Sequence, residues 1–296
     1  MTTLGATPPA RFVVIGNPIA HSMSPAIHHD FAQQVGMPIQ YMRLLAPLDG
    51  FEGTVRALQA AGVQGANVTV PFKLQAFELA QQLTDSASFA QAANTLHFKP
   101  DGLVMADNTD GGGLCRDLDR LLKPMNIGLS MCQVLMLGAG GAAAGCVAAF
   151  HAHGVQHLTV LNRTAAKARA LAERAEALGL PAVGGSLDHL PSDFELPGAP
   201  LVVVNASSSS LHGEVPALHA HWWARAVLAY DMMYAPSATP FMQSASSNMA
   251  QGTAVADGLG MLVFQAQLAF ESWTGRSPDA LQTLSRVRAS LQAKAR

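Results

Sequence analysis

The sequence predicts an α/β protein with two domains. Short apolar runs alternate with helical patterns along almost the whole chain, which is typical of parallel sheets whose strands are joined by helices. The 296 residues suffice for two ordinary hydrophobic cores, and a glycine-rich stretch near residue 110 interrupts the alternation. We therefore expect a mixed-sheet α/β domain and a second α/β domain, separated by a cleft.

Composition restricts the partners. Hydrophobic residues make up 49% of the chain and charged residues 13%, the formal net charge is -2, and no run of Lys or Arg offers a surface to nucleic acid or an anionic membrane. Three scattered cysteines, Cys115, Cys132 and Cys146, fit reduced thiols better than a disulfide framework. The N-terminus lacks the basic flank and apolar core of a signal peptide. We therefore predict a cytoplasmic protein that acts on small molecules.

Five short runs predict strands in the first domain. Helical stretches that begin at Pro25 and near Gly50 separate the first three of them. These three are RFVVIG, IQYMRLLA and GANVTV, and a hairpin of ANTLHF and GLVMADN around the turn KPDG follows.

The stretch NVTVPFKLQAFELAQQL places a lysine at the start of a predicted helix. The strand ends at Val70, Pro71 suits the first turn, and apolar residues then recur at helical spacing as far as Leu83. Lys73 therefore lies in the first turn, where the macrodipole is positive and favours carboxylates over cations. A lysine there costs stability and is expected to give up its proton more readily. Taken alone, the position still favours an exposed helix-start residue without a role, and a functional role depends on the other motifs.

Three consecutive glycines that follow a turn-forming aspartate, from Asp110 to Gly113, predict a backbone hinge and a domain boundary. Beyond the hinge the pattern predicts a helix to about Leu122, then strands and helices in alternation. The later strands are QVLML, HLTVLN, LVVVNA and AVLAYDM, and the end of the chain is helical.

The stretch VLMLGAGGAAAG carries a dinucleotide-binding pattern. Gly138, Gly140 and Ala143 form G-x-G-x-x-A directly after a strand and at the opening of a helix. The glycines let the backbone approach a pyrophosphate, which the free N–H groups and the dipole of the helix N-terminus favour. A Rossmann-type domain is predicted, with a merely tight turn as the alternative.

The strand that follows indicates which dinucleotide binds. Sites for NAD usually place an acid about 20 residues after the glycines, to accept hydrogen bonds from the ribose. Here Asn162, Arg163, Thr164 and Lys167 follow the strand and no acid is present. A guanidinium suits a 2′-phosphate, so NADP is favoured. The alternative is that Arg163 and Lys167 are solvated charges at a helix start.

Two serines precede the first helix in GNPIAHSMSP. Ser24 before Pro25 suits an N-cap with proline at the first helical position, which is a structural role. Ser22 has no such role. Two hydroxyls beside a helix N-terminus would bind a carboxylate without supplying a buried charge.

These motifs together resemble the shikimate dehydrogenase family. The resemblance extends from Phe12 to Ala269 and rests on eight motifs in the family's order and spacing. They are GNPIAHSMSP, GANVTVPFK, AANTL, DNTDG, GAGGAAAG, NRT, YDMMY and ADGLGMLVFQA.

The resemblance implies a role for each matching residue. It implies that Lys73 and Asp110 form the catalytic pair, and that Ser22 and Ser24 bind the shikimate carboxylate. The residues implied to line or close the substrate pocket are Asn67, Thr69, Asn94, Gln265 and Tyr234. The residues implied to hold the cofactor are Gly138, Ala139, Gly140, Gly141, Ala142, Asn162, Arg163 and Thr164, with Met232 and Gly258 near its nicotinamide end.

The resemblance also implies the domains and the reaction. Residues 1–109 and 255–296 would form the substrate-binding and catalytic domain, and residues 110–254 the Rossmann NADP-binding domain. The implied reaction is the reversible reduction of 3-dehydroshikimate by NADPH. Lys73 would serve either as the acid and base or as a charge that stabilises the alkoxide, and Asp110 would orient it and hold a substrate hydroxyl.

Two other functions remain open at this point. One is a quinate/shikimate dehydrogenase of broader substrate or NAD preference, and the other is a non-catalytic NADP-binding sensor. No metal site is predicted, because the histidines of HAHGVQH span a helix end and a turn without a nearby pair of carboxylates. Ala144 and Ser210 depart from the family pattern and bear on cofactor contacts. Either a monomer or a homodimer is compatible with the sequence.

Overall fold

A computed structural model describes residues 9–187, 198–207, 209, 215 and 218–293, and it divides into two compact units. The first unit comprises the described residues up to Thr109 together with Ala266–Thr283. The second comprises those of Asp110–Gln265 and those from Leu284 onward. The predicted fold class, two α/β domains with one of Rossmann type, is confirmed. The assignment of residues 255–296 to substrate binding stays a prediction.

The first unit holds a six-stranded mixed sheet. Its strand order is β2-β1-β3-β5-β6-β4, in which β1 is parallel to β2 and β3, whereas β5 is antiparallel to β3 and β6. The predicted hairpin is therefore present as β5 and β6. The elements are β1 Ala10–Gly16, α1 Ser24–Gln34, β2 Ile39–Leu45, α2 Phe51–Ala60, β3 Gly65–Val68, α3 Lys73–Leu79, β4 Gln82–Leu83, α4 Asp85–Ala90, β5 Thr95–Phe98 and β6 Val104–Asp107.

The second unit holds a six-stranded sheet whose strands are all parallel, in the order β12-β11-β10-β7-β8-β9. Counted from β7, this is the doubly wound order 3-2-1-4-5-6 read from the other edge. The elements are α5 Asp110–Leu122, β7 Gln133–Leu137, α6 Gly141–Ala152, β8 His157–Asn162, α7 Ala165–Leu178, β9 Ala182–Ser186, β10 Leu201–Asn205, α8 Ala220–Arg225, β11 Ala226–Asp231, α9 Pro240–Asn248 and β12 Ala254–Asp257. Two further helices, α10 Leu259–Thr274 and α11 Ala280–Ala293, complete the chain.

The helix that carries the lysine is shorter than the sequence predicts. It begins at Lys73 and ends at Leu79, so the placement of Lys73 in the first turn is confirmed, but the prediction that Pro71 lies in that turn is wrong. The strand before it ends at Val68 rather than at Val70. The extension to Leu83 is also wrong, because residues 82 and 83 pair with β6 as a short parallel strand. Pairing with β6 gives backbone groups of residues 82 and 83 the hydrogen bonds that a longer helix would have supplied.

The predicted glycine hinge is also wrong. The three glycines lie inside α5, which begins at Asp110. A Cβ atom added at Gly111 would lie 2.4 Å from the carbonyl oxygen of Gly145, and one added at Gly113 would lie 2.6 Å from the backbone nitrogen of Gln265. These glycines therefore allow other helices to pack directly on the α5 backbone, a closer approach than any side chain would permit.

The start of α10 is held against α5 by a buried polar network. The hydroxyl of Tyr230 donates to Asp117 at 2.8 Å and accepts from the backbone N–H of Met261 at 3.1 Å. Arg120 donates to the other oxygen of Asp117 at 2.7 Å. Gly260 lies so close that a Cβ atom there would be 1.9 Å from an Asp117 carboxylate oxygen.

We expect Gly260→Ala to destabilise the protein by roughly 1–3 kcal/mol or more, because Asp117 is fixed by its two donors and cannot move aside. Thermal unfolding measures the effect. A matched control is Gly53→Ala in α2, where no heavy atom lies within 4 Å of the added Cβ. That change should leave the melting temperature unchanged or raise it. Equal melting temperatures for the two variants would contradict this account of Gly260.

Within the described residues, no helix is long and apolar enough to cross a membrane. Trp222 and Trp223 lie in the core of the second unit. Ser210, the departure beside the predicted cofactor loop, lies outside the described residues.

Candidate active site

The polar residues predicted for substrate binding collect at one edge of the first sheet. Asn67 lies near the carboxyl end of β3 and Thr69 follows it. Asn94 precedes β5, which runs antiparallel to β3, so it lies at the same edge. Thr109 follows β6, which is again antiparallel to β5. This placement agrees with the rule that ligands of α/β sheets bind beyond the carboxyl ends of strands.

A hydrogen-bonded network joins these residues. The side-chain amide of Asn67 donates to the carbonyl of Asn94 and to the hydroxyl of Thr95, each at 3.2 Å. The Asn94 amide donates to Thr109 at 3.0 Å, and its oxygen accepts from the backbone N–H of Thr109 at 2.9 Å. All four residues are buried. Buried polar groups that are paired in this way are rigid, which is what a binding site needs.

Lys73 is half-buried at the first position of α3. Its backbone carbonyl accepts from the N–H of Ala93 at 2.8 Å, which ties the start of the helix to the segment that carries Asn94. The residue before it, Phe72, is fully buried and stacks on Phe51 at 5.0 Å. Burial of such a ring is worth about 2 kcal/mol, so the lysine backbone is firmly anchored.

The two serines hydrogen-bond each other at the start of α1. Ser24 is the first residue of α1 and not its N-cap; Met23 occupies that position. The prediction that Ser24 caps the helix is therefore wrong. Instead, the Ser22 hydroxyl accepts from the Ser24 backbone N–H at 3.3 Å and donates to the Ser24 hydroxyl at 3.2 Å. The two hydroxyls are neighbours at a helix N-terminus, where an anion is favoured.

Sequence reasoning missed two residues beside these serines. Tyr41, in β2, is buried and donates to the side-chain oxygen of Asn67 at 2.6 Å. Arg43, on the same strand, donates from Nε to the carbonyl of Ser22 at 2.9 Å and so supports the serine loop. No motif marks either residue, because the contacts depend on how β2 pairs with β1.

The glycine-rich turn of the second unit fits a dinucleotide. Gly138 has φ +112°, which favours glycine, and an added Cβ would lie 3.1 Å from the backbone of Ala206. Gly140 and Gly141 are exposed, with no heavy atom within 4 Å of an added Cβ. Gly140 is the N-cap of α6 and no side chain caps the helix. The open backbone and the uncapped N–H groups suit a pyrophosphate.

The end of β8 carries the residues predicted to select the cofactor. Asn162 ends the strand, and its amide donates to the carbonyl of Thr164 at 3.1 Å, which shapes the turn. Arg163 and Thr164 are exposed, as is Lys167 in the first turn of α7. Exposed cations at this position suit a phosphate, whereas the ribose-binding acid of NAD sites has no counterpart in the turn.

Met232 and Gly258, both predicted to lie near the nicotinamide end of the cofactor, are in direct contact. A Cβ added at Gly258 would lie 2.1 Å from the carbonyl oxygen of Met232, and the Gly258 N–H donates to Met233 at 3.0 Å. Beneath them is a buried network that sequence reasoning missed. Asp231 accepts from Asn205 at 3.0 Å and from Thr239 at 2.6 Å, which fixes the ends of β10 and β11.

Three predicted residues remain, all in the second unit. Asp110 is half-buried and is the first residue of α5. Gln265, on α10, packs its backbone against Gly113, one turn further along α5, and its amide donates to Leu262 at 2.8 Å. Tyr234 is half-buried, and burial, with a smaller effect of Asp257, raises the pKa of its hydroxyl.

The second sheet and its glycine-rich turn define a dinucleotide-binding protein of Rossmann type, joined to a separate α/β unit with a polar cluster. Family models place the chain more narrowly. The model for the shikimate dehydrogenase substrate binding domain matches residues 14–96, that for shikimate / quinate 5-dehydrogenase matches residues 121–186, and that for the shikimate 5'-dehydrogenase C-terminal domain matches residues 258–288. The chain belongs to the shikimate dehydrogenase family.

Individual relatives agree with this placement. The chain is 48% identical to a shikimate dehydrogenase (NADP(+)) of Cupriavidus pinatubonensis, over 99% of each chain. It is 38% identical to an Ael1 enzyme from Pseudomonas putida, whose crystal structure matches with a TM-score of 0.83 over 94% of this chain and 97% of that one. A shikimate 5-dehydrogenase of Thermus thermophilus, solved in complex with NADP(H) and shikimate, matches with a TM-score of 0.77 at 32% identity, over 95% of this chain and 100% of that one.

Proposed function

We propose that the protein is an NADP-dependent shikimate dehydrogenase, which catalyses the reversible reduction of 3-dehydroshikimate to shikimate. The observation that carries this proposal is the 48% identity, over 99% of the chain, to a relative named for this reaction and cofactor. The enzyme is an oxidoreductase that acts on a CH–OH group. Its product is the precursor of chorismate and of aromatic amino acids.

The first unit supplies most of the substrate contacts in this proposal. The hydroxyls of Ser22 and Ser24 bind the shikimate carboxylate, and they are adjacent at 3.2 Å. Asn67, Thr69 and Asn94 bind the ring hydroxyls. The network that holds the amides of Asn67 and Asn94 supports this role, because it fixes both side chains before substrate arrives. Gln265 and Tyr234 are also assigned to substrate binding in this proposal.

Proton transfer falls to Lys73 and Asp110. NADPH, when bound, supplies the hydride, so the protein needs a proton donor at the oxygen that becomes the alcohol. Lys73 gives this proton in reduction and takes it back in oxidation. Asp110 orients the lysine and holds a substrate hydroxyl. The start of α3 supports the proposal, since a lysine in a first helical turn has no structural advantage there.

The second unit holds NADP(H). The residues assigned to the cofactor are Gly138, Ala139, Gly140, Gly141, Ala142, Asn162, Arg163, Thr164, Met232 and Gly258. Those of the glycine-rich turn carry the pyrophosphate, and Arg163 pairs with the 2′-phosphate. Residues 110–254 form the NADP-binding domain in this proposal, and residues 1–109 with 255–296 form the substrate-binding domain. We also propose that the enzyme works in the cytoplasm as a monomer or a homodimer.

Product identification tests the reaction. Purified protein incubated with 3-dehydroshikimate and NADPH deuterated at the transferring position should yield shikimate with one deuterium at the reduced carbon. Nuclear magnetic resonance of the product locates this deuterium. A boiled sample controls for chemical reduction. Unchanged 3-dehydroshikimate in the presence of folded protein would contradict the proposal and would favour a protein that binds NADP without catalysis.

A further inference from the structure

Tyr41 is a buried residue of β2 that contacts one of the proposed substrate-binding residues. Its hydroxyl donates to the side-chain oxygen of Asn67 at 2.6 Å. Burial raises the pKa of this hydroxyl well above its ordinary value, and a smaller effect of Ser24 lowers it. The group is therefore a neutral phenol.

A chain of hydrogen bonds begins at this phenol. Tyr41 donates to Asn67, and the Asn67 amide donates onward to Thr95 and to the Asn94 carbonyl. Both N–H donors of Asn67 are therefore used within the protein, and its oxygen keeps one lone pair beyond the bond from Tyr41. Asn67 thus presents an acceptor, which suits a substrate hydroxyl.

The ring of Tyr41 is held as firmly as its hydroxyl. It stacks on His28 at 4.2 Å with an interplanar angle of 8°, and it contacts Trp273 at 6.5 Å. His28 is fully buried, and neither of its ring nitrogens has a hydrogen-bond partner among the described residues. Burial lowers the pKa of His28 to about 3, so the stacked ring is neutral. The layer behind Ser24 and Asn67 therefore carries no charge.

We infer that Tyr41 is a positioning residue for substrate binding, which acts through Asn67 on a ring hydroxyl. This inference rests on the proposed function. The phenol holds the side chain of Asn67, so that the amide oxygen is presented to the substrate in one orientation. Ground-state binding, and not the chemical step, depends on this orientation, since Asn67 transfers neither a proton nor a hydride.

Removal of the single hydroxyl tests the inference. Tyr41→Phe keeps the stacked ring but removes the buried donor to the side-chain oxygen of Asn67. We expect the KM for shikimate to rise about 10-fold, with kcat within about 2-fold of the wild-type value and an unchanged KM for NADP. Titration calorimetry with shikimate should show the same loss of affinity.

A matched control removes a buried hydroxyl elsewhere in the same unit. Thr283 is fully buried and donates to Asp30 in the second half of α1. Thr283→Val should lower the melting temperature without changing the KM for shikimate. If both variants raise this KM equally, the effect of Tyr41→Phe is general loosening and the inference is wrong.

A double-mutant cycle tests the route through Asn67. In an Asn67→Ala background, Tyr41→Phe should raise the KM for shikimate by clearly less than it does in the wild-type enzyme, because the side chain that Tyr41 positions is already gone. Independent effects would contradict the role of Tyr41. Turnover by the wild-type enzyme separates this inference from the proposed function. If the wild-type enzyme does not turn over, the proposed function is wrong. If it does, and the Tyr41→Phe variant has the same KM for shikimate, only the role of Tyr41 is wrong.

Discussion

Lys73→Ala is expected to lower kcat for shikimate oxidation by about 100-fold or more, the range typical of a lost general acid or base. The dissociation constant for shikimate should change only a few-fold, because the serine and asparagine contacts that hold the substrate remain. The local fold should also remain, since Phe72 and the Ala93–Lys73 backbone bond anchor the start of α3 without the side chain. Steady-state kinetics and calorimetry measure the two quantities separately.

A matched control removes an exposed lysine that has no assigned role. Lys123 is exposed and lies just beyond the end of α5. The Lys123→Ala variant should keep the wild-type kcat. A Lys73→Ala variant with near-normal kcat would remove the lysine from the mechanism.

Lys73→Arg separates the two chemical roles of the lysine. Arginine keeps the positive charge but does not give up its proton in proteins. If Lys73 is the acid and base, the arginine variant should be as slow as the alanine variant. If the lysine mainly stabilises the alkoxide, the arginine variant should recover much of the lost kcat.

Arg163→Ala should shift the cofactor preference of the enzyme. Loss of a charge-assisted contact to the 2′-phosphate is expected to raise the KM for NADP roughly 10- to 100-fold, while the KM for NAD, which lacks this phosphate, should hardly change. Arg163 is exposed, so its replacement should leave the fold, and with it the stability of the protein, unchanged. Initial rates with saturating shikimate and varied cofactor measure both constants.

The matched control for this change is Arg169→Ala on the exposed side of α7, two turns further along the same segment. It removes an equal charge, so a general electrostatic effect on cofactor binding would appear in both variants. If Arg163→Ala raises the KM for NADP and the KM for NAD equally, Arg163 does not bind the 2′-phosphate.

The second unit could be predicted closely because its signals are local. The turn after β7 needs a residue that tolerates positive φ at position 138 and an open backbone at position 140. The glycines of the motif meet both requirements within a few residues of sequence. The parallel strands on either side are buried on both faces and are therefore continuous apolar runs. Sequence and structure agree at β7, its turn and β8, because each of these short segments contains its own physical reason.

Two of the errors occur where contacts between residues distant in sequence determine the structure. Gly111 and Gly113 indicate a hinge when only neighbours in sequence are considered, yet the atoms that require them to be glycine belong to Gly145 and Gln265. The same holds for β4, whose two residues continue a helical pattern but pair with β6. Tertiary contacts override local propensity in both cases.

Tyr41 illustrates what a motif search misses. Its partner Asn67 is 26 positions away, and the two meet because β1 pairs with both β2 and β3. Motifs identify the groups that touch a ligand, whereas the residues that position those groups depend on strand order. The proposed contact residues could therefore be predicted from sequence, and the network that supports them could not.

The most direct test of the central claim is the initial rate of cofactor reduction by the purified protein, with shikimate or quinate crossed against NADP or NAD. The account predicts rapid turnover with shikimate and NADP, and rates lower by at least about 10-fold in the other three combinations, since each lacks a matched contact. Comparable rates with quinate or with NAD would assign the protein to a broader dehydrogenase. No turnover in any combination, with the protein shown to be folded, would contradict the claim that it is an NADP-dependent shikimate dehydrogenase.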